Sequence, residues 1–275
     1  MDKIIETNWS EAPKRTKNML EYQNWFDSCE SIEKSISSGF IDFSHKIFTE
    51  DLYKIVGDPR EKTCLEIGFG GGRLLNASSR FFKECIGVDI LNPESISKTK
   101  KYLESNNVNN VKLFHREDCS SIEDESIDFA YSFIVFQHFS SFEEVKKYFS
   151  LFNRVLKKGG CAKIFLKEAP AGDKIPIPGG SVSQPIGGWP PVFELTGAQI
   201  LTHKEDAKKS NNSKVLNEAF VKHGDFTCSS LFVDRNHLCD YLEYAGFNVI
   251  ETGNVQKQMW SPILSGQYWI KFTKE

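Results

Sequence analysis

The sequence predicts an α/β fold built on a mostly parallel sheet. Three observations carry this expectation. Between residue 61 and about residue 167, short apolar runs alternate with amphipathic stretches of helical length, the pattern of strands joined by crossover helices. The first run, Cys64-Leu65-Glu66-Ile67, passes through Gly68-Phe69-Gly70-Gly71-Gly72 into the apolar helix start Arg73-Leu74-Leu75. The second run, Cys85 to Ile90, carries a carboxylate, Asp89, near its end. A chain of 275 residues holds one such domain with an elaboration.

Taken in order, residues 1 to about 60 read as helical. Ala12 to Glu33 is rich in helix formers and places Met19, Tyr22, Trp25 and Phe26 at helical spacing. A shorter helix, Ile47 to Val56, precedes the break at Asp58-Pro59. The aromatic residues pack against the main domain or form a lid over its ligand. The third strand is Val111 to His115 and the fourth Ile127 to Ile134. The helix that follows gathers Phe142, Val145, Tyr148, Phe149, Phe152, Val155 and Leu156 on one face. It ends at Lys157-Lys158-Gly159-Gly160, basic residues then glycine, before a fifth strand from Cys161 to Leu166. Residues 168 to about 232 break the alternation. They interleave prolines from Pro170 to Pro191 with glycines, yet keep Trp189 and Phe193. A long irregular segment within a compact domain is usually functional. A helix from Arg235 to Tyr244 and strands at Phe247 to Thr252 and Tyr268 to Thr273 close the chain.

The glycine turn is read as a ligand loop. Glycines at 68, 70 and 72 let the backbone turn sharply and approach a ligand, and the next helix adds the positive end of its dipole. Asp89 suits the paired hydroxyls of a ribose. The dinucleotide fingerprint G-x-G-x-x-G requires glycine where this chain has Arg73.

Composition narrows the function. With 34 basic and 37 acidic residues the formal charge is −3, and no basic surface of the kind nucleic acid demands is concentrated in the sequence. No apolar run is long enough to span a bilayer, and the polar start, with two acids before Asn8, is not a secretory signal. The 7 cysteines include no C-x-x-C pair, and Cys64, Cys85 and Cys161 lie in apolar strand patterns, which points to a reduced, cytoplasmic setting. None of His45, His115, His203, His223 or His237 has metal-ligand spacing, and no metal is expected.

The glycines fall as G-x-G-x-G, with Glu66 two positions ahead. Together with Asp89, with Asp118 after the third strand and with the L-K-x-G-G turn before the fifth, this order resembles the class I S-adenosylmethionine-dependent methyltransferases of small-molecule type. The resemblance covers most of residues 61 to 167. It implies a Rossmann-like sheet of seven strands, the last antiparallel and inserted between its neighbours, with helices on both faces. It implies S-adenosylmethionine as cofactor and S-adenosylhomocysteine as product. Glu66 is then expected near the amino-acid end of the cofactor. Gly68, Gly70 and Gly72 pass beneath its ribose and methionine portion, Asp89 binds the ribose, and Asp118 accepts from the adenine amino group. Ile90, Cys119, Ser132 and Phe133 complete the expected cofactor set.

At the end of the fourth strand, Tyr131-Ser132-Phe133-Ile134-Val135-Phe136-Gln137-His138 lacks the N/D-P-P-Y/F motif of methyltransferases acting on planar nitrogens. It is similar to the phosphobase and related small-metabolite enzymes, where such a histidine lies beside the acceptor. His138 and Tyr131 are therefore the candidate catalytic residues, His138 as a base titrating near pH 6.5, or else a histidine that packs the next helix. The organisation expected is an N-terminal helical cap over 1 to 60 and a methyltransferase domain over 61 to 275, with 168 to 232 as an acceptor-binding insert. A small-molecule methyl acceptor is the expected partner. Two other classes stay open: a non-catalytic S-adenosylmethionine-binding regulator, and an NAD-dependent oxidoreductase that Arg73 and Glu66 disfavour.

Overall fold

The computed structural model describes residue 9 and residues 13–139, 141–168, 174–177, 180–183, 192–195, 230–255 and 267–275. The N-terminal region folds as three helices. The first, α1 (Met19–Asp27), starts where the side chain of Asn18 accepts from the Glu21 amide, and stops at Ser28, which turns left-handed at φ 50°. The single long helix suggested by composition is thus split, and α2 (Ile32–Asp42) begins anew at a Ser31 cap. It runs through a π turn, Phe43–Ile47, to α3 (Glu50–Val56).

The alternating region follows as β1 (Thr63–Ile67), α4 (Arg73–Ser78), β2 (Glu84–Asp89), α5 (Pro93–Ser105), β3 (Val111–His115), β4 (Ile127–Ser132), α6 (Phe142–Val155) and β5 (Leu156–Glu168). Each longer helix starts at a side-chain cap: Asn92 followed by Pro93 for α5, Ser141 for α6. The fourth strand ends two residues earlier than its apolar run, because Ile134 takes a positive φ of 61°. The fifth begins five residues before Cys161, with Gly159 at φ 74° absorbing the turn.

Beyond β5 come a two-stranded antiparallel pair, β6 (Lys174–Ile177) and β7 (Gly180–Ser183), and then β8 (Val192–Leu195) and β9 (Ser230–Val233). β9 runs parallel to the end of β5 through Lys167 and Glu168, where β4 has already stopped, and β8 pairs with β9. Residue periodicity carries no sign of these short strands. Apart from them, the expected insert beyond Glu168 lies outside the described residues, Trp189 included. The chain closes with α7 (Arg235–Tyr244), capped by Asp234, then β10 (Phe247–Asn254) and β11 (Gln267–Lys274).

The main sheet runs β10-β11-β5-β4-β1-β2-β3. β1 to β5 are mutually parallel, and β11 is antiparallel to both of its neighbours, as expected. Strand alternation sends successive residues to opposite faces, and both faces are buried. On one face Leu65, Ala130 and Ile164 meet α6 and α7. On the other, Cys64, Phe129, Tyr131 and Phe165 meet α4, α5 and the N-terminal Phe43, Ile47 and Leu52. The N-terminal helices thus share a core with the sheet.

Candidate functional site

The C-terminal edge of β1, β2 and β4 opens into a cavity of about 300 Å³, within the range of small-ligand sites. Its floor is the turn after β1. Gly68, at φ 79°, donates its N–H to the Val88 carbonyl at 2.8 Å and so ties the turn to β2. The Gly70 N–H then reaches Oδ2 of Asp89 at 2.8 Å, while the Ile90 N–H reaches Oδ1 at 2.7 Å. Each oxygen of Asp89 keeps further acceptor capacity. Burial raises this carboxyl to a pKa of about 6 despite those N–H groups.

Glu66 also lines the cavity and is 2% exposed. Burial pushes its pKa well above the usual carboxylate range, opposed by the Tyr131 hydroxyl, which donates to Oε2 at 3.0 Å. Asp27 is a third acid in the wall, and its carboxyl is raised by burial. Its partner Arg73 is the only cation among the described lining residues. Arg73 Nε donates to Asp27 at 2.9 Å and Nη1 to Asp42 at 2.6 Å. The wall is therefore acid-rich, which fits a cationic ligand bearing hydroxyl and ammonium donors. No cluster of metal-ligating side chains occurs among the described residues.

The N-terminal helices close over the glycine turn. Gln23 Nε2 of α1 donates to the Gly71 carbonyl at 2.7 Å, and from α5 Thr99 Oγ1 donates to that of Gly70 at 2.8 Å. The Phe26 ring lies where a Cβ on Gly70 would point, 2.8 Å away. The absence of a side chain at Gly70 accommodates this helix contact, where the sequence suggested ligand space. Trp25, Phe26, Asp27 and Ser28 all line the cavity. Their aromatic spacing was visible in the sequence, but nothing local indicates that the helix returns to the loop some 45 positions on. Trp9 joins the same wall, with its ring centroid 5.0 Å from that of His138.

Of the expected residues, Glu66, Gly68, Gly70, Asp89, Ile90, Phe133 and His138 come together around the cavity. Gly72, Asp118, Cys119, Ser132 and Tyr131 are not among its lining residues. Asp118 is exposed on the turn Arg116–Ser121, and the Cys119 carbonyl is held by Arg154 at 2.7 Å. Ser132 Oγ donates to the Ile67 carbonyl at 3.0 Å and joins β4 to β1. Tyr131, expected beside the acceptor, is wholly buried on the α4 face, because alternation along β4 turns it there. Burial and the adjoining Glu66 raise its pKa well above that of a free phenol. It positions Glu66.

His138 is half-buried at the cavity wall. Burial, and then the Lys167 ammonium, push its pKa down to about 3. The titration near pH 6.5 expected from sequence is thereby displaced, and the ring is neutral throughout the ordinary pH range.

Residues 65–164 match the family model described as a methyltransferase domain. Among solved structures, the fold is similar to a methyltransferase from Methanosarcina mazei, at 15% identity over 82% of this chain and 97% of that one, with a TM-score of 0.53. It is also similar to one from Clostridium acetobutylicum, at 12% identity over 91% and 95%, with a TM-score of 0.52. DhpI in complex with SAH aligns over 98% of this chain and 97% of its own at 12% identity, with a TM-score of 0.54. At these identities the likeness is one of fold. No curated protein matches the sequence. Residues 65–164 are thus matched as a methyltransferase domain, on a fold that is similar to those of S-adenosylmethionine-dependent methyltransferases. The chain carries a methyltransferase domain over those residues and is an enzyme. Among the described residues no helix is long and apolar enough to cross a membrane.

Proposed function

We propose that this enzyme methylates a small-molecule hydroxyl or amine, in a cytoplasmic setting, within the cavity described above. The observation that carries the reading is the joining of two kinds of wall in one cavity: the carboxylates beside the glycine turn, and the rings of Trp9, His138, Phe139 and Tyr148. When bound, S-adenosylmethionine supplies an electrophilic methyl group on a sulfonium. In this reading Asp89 accepts from the ribose hydroxyls and Glu66 faces the amino-acid end. Gly68 and Gly70 form the floor, with Ile90 and Phe133 at the sides. Asp118, exposed on its turn, reaches for the adenine, while Gly72, Cys119 and Ser132 shape the edge. The residues align the acceptor and exclude water, which is where an in-line displacement gains most. The helices of residues 1 to 60 serve as cover, and the segment 168 to 232 as the acceptor-binding insert.

The direct test is binding. S-adenosylmethionine and its demethylated product are expected to raise the melting temperature by mass action on the folded state. Asp89→Ala should weaken both ligands by about 10–100-fold, the worth of hydrogen bonds to a charged group. With a carboxyl pKa of about 6 in the free protein, affinity should also decline as pH falls through about 6, because the protonated acid loses acceptor capacity. Unchanged affinity in Asp89→Ala would remove Asp89 from the ribose.

Tyr131→Phe separates a positioning role from a catalytic one. It is expected to weaken cofactor binding by about 5–10-fold through the loss of one buried hydrogen bond to Glu66. Turnover at saturating cofactor should be nearly unchanged. A loss of about 10²–10⁴ in that turnover is the signature of a general acid or base and would restore Tyr131 to the chemistry.

A further inference from the structure

Gly70 is gripped at both of its hydrogen-bonding groups. Its N–H reaches Oδ2 of Asp89 at 2.8 Å, and its carbonyl accepts from Thr99 Oγ1 at 2.8 Å. A carbonyl only accepts, so the one hydroxyl hydrogen of Thr99 is committed to Gly70. The Tyr22 hydroxyl stands 2.8 Å from the same Thr99 oxygen, which therefore accepts from it, and 2.7 Å from the Ser95 carbonyl. The phenol hydrogen is shared between these two acceptors in a three-centre bond. Burial raises the Tyr22 phenol far above its ordinary pKa, so that hydrogen stays in place. Tyr22, Ser95 and Thr99 are fully buried, and Asp89 is 8% exposed. A chain of polar contacts thus runs from α1 through α5 and the glycine turn to the acid at the end of β2.

We infer that Thr99, and Tyr22 behind it, are positioning residues for the cofactor: they tether the Gly70 carbonyl so that its N–H stays on Asp89 and the carboxylate stays where the ribose hydroxyls meet it. This rests on the reading above, in which Asp89 binds the ribose. The peptide planes on either side of Gly70 are rigid and turn only about its own φ and ψ. Tethering the carbonyl to α5 therefore leaves the N–H little freedom to swing away from Asp89. The Ile90 N–H holds the other carboxylate oxygen, Oδ1, at 2.7 Å, so Asp89 is fixed at both oxygens only while the Gly70 tether is made. A carboxylate held in advance gives up less rotamer freedom when the ligand binds. Packing backs the tether. Thr99 Cγ2 lies over Gly72, 2.8 Å from where a Cβ there would stand. The Tyr22 ring meets Phe26 edge-on at 5.3 Å, and Phe26 covers Gly70. Burial keeps water from competing for these hydrogen bonds and makes an unmade one costly. Neither Tyr22 nor Thr99 is among the lining residues of the cavity, so both act through Gly70.

A double-mutant cycle on the affinity of the full chain for S-adenosylhomocysteine, measured by calorimetry, tests the chain of contacts through Asp89. Thr99→Val keeps the shape and the methyl over Gly72 but leaves the Gly70 carbonyl unpaired. It should weaken the ligand by about 5–20-fold, the worth of one buried hydrogen bond. In Asp89→Ala the same substitution should change affinity by less than about twofold, because the group it positions is gone. Thr99→Ser restores the hydroxyl without the methyl. Its melting temperature should stay below that of the wild type, while its affinity returns to within about twofold. Tyr22→Phe removes only the phenol oxygen and should weaken the ligand by about 2–5-fold when Asp89 is present and not when it is absent. It carries the test should Thr99→Val not fold. Equal losses with and without Asp89 would overturn the inference, as would full affinity in a folded Thr99→Val, since the contacts would then serve packing alone. A wild-type protein that binds no S-adenosylhomocysteine would instead overturn the reading of the cavity on which the inference stands, so the two failures are told apart.

Discussion

Gly68→Ala is expected to abolish cofactor binding, while Gly159→Ala, a change of the same kind at a similar backbone angle, leaves it intact. Gly68 and Gly159 have φ of 79° and 74°, so each substitution incurs the left-handed penalty of about 1–2 kcal/mol. Their surroundings differ. A Cβ on Gly159 meets nothing within 4 Å, whereas one on Gly68 lies 2.4 Å from Cγ2 of Val135 and 2.6 Å from Cγ1. A branched side chain cannot withdraw both methyls, so the turn or the Ile134–Val135 backbone must move, adding about 1–3 kcal/mol of overpacking. Either movement disturbs the cavity, since Gly68, Ile134 and Val135 all line it. The two variants should therefore separate in a melting experiment with and without S-adenosylhomocysteine. Gly159→Ala should show a lowered melting temperature with a full ligand-induced rise, and Gly68→Ala a larger drop with no rise. A full rise in Gly68→Ala would mean that the turn gives way without altering the site.

The parts of this molecule legible in the sequence are those fixed by local pattern. The strand at Cys64–Ile67, the glycine turn and the acid at the end of β2 declare themselves by periodicity and by residues with one physical use. The inserted antiparallel β11 followed from the resemblance, and the sheet has it. What the sequence did not disclose depends on contacts between distant residues. Phe26 against Gly70 and Gln23 against Gly71 join a helix to a turn nearly fifty positions away. The same holds for Arg73. In sequence it is the residue that breaks a dinucleotide fingerprint, and in the fold it holds the N-terminal helices in place. Tyr131 and Ser132 were both assigned to the site, but neighbours on a strand point to opposite faces, and neither lines the cavity. His138 was placed by its position after β4, whereas its neutral state follows from burial and from the charge of Lys167 on β5.

Arg73→Leu is expected to destabilise the protein by about 3–5 kcal/mol, the usual result of removing one partner from a buried ionic cluster. The guanidinium is 12% exposed and bridges Asp27 and Asp42, which are 11% and 13% exposed and lie at the ends of α1 and α2. Asp42 also meets Lys46 Nζ, at 2.5 Å, but Arg73 is the one ion-pair partner of Asp27 among the described residues. Burial already holds the Asp27 carboxyl above its usual range, and the Arg73 charge is the strongest force pulling it back. Without that charge its folded pKa rises further. A group raised on folding contributes stability that is full below its unfolded pKa and is lost as pH rises through the folded one. Arg73→Leu should therefore lie closest to the wild type in acid and fall further behind as pH increases. Arg73→Lys keeps the charge but loses the planar fork that spans both acids, and should fall between. Because Asp27 and Ser28 line the cavity, cofactor affinity is expected to drop along with stability. Urea denaturation at several pH values, with and without S-adenosylhomocysteine, measures both effects. In Arg73→Leu with Asp27→Asn and Asp42→Asn, much of the stability should return, because no buried carboxylate is then left unpaired. A deficit of under about 1 kcal/mol in Arg73→Leu, the scale of a surface pair, would show that the cluster is open to water and that the helices are held by their apolar contacts alone.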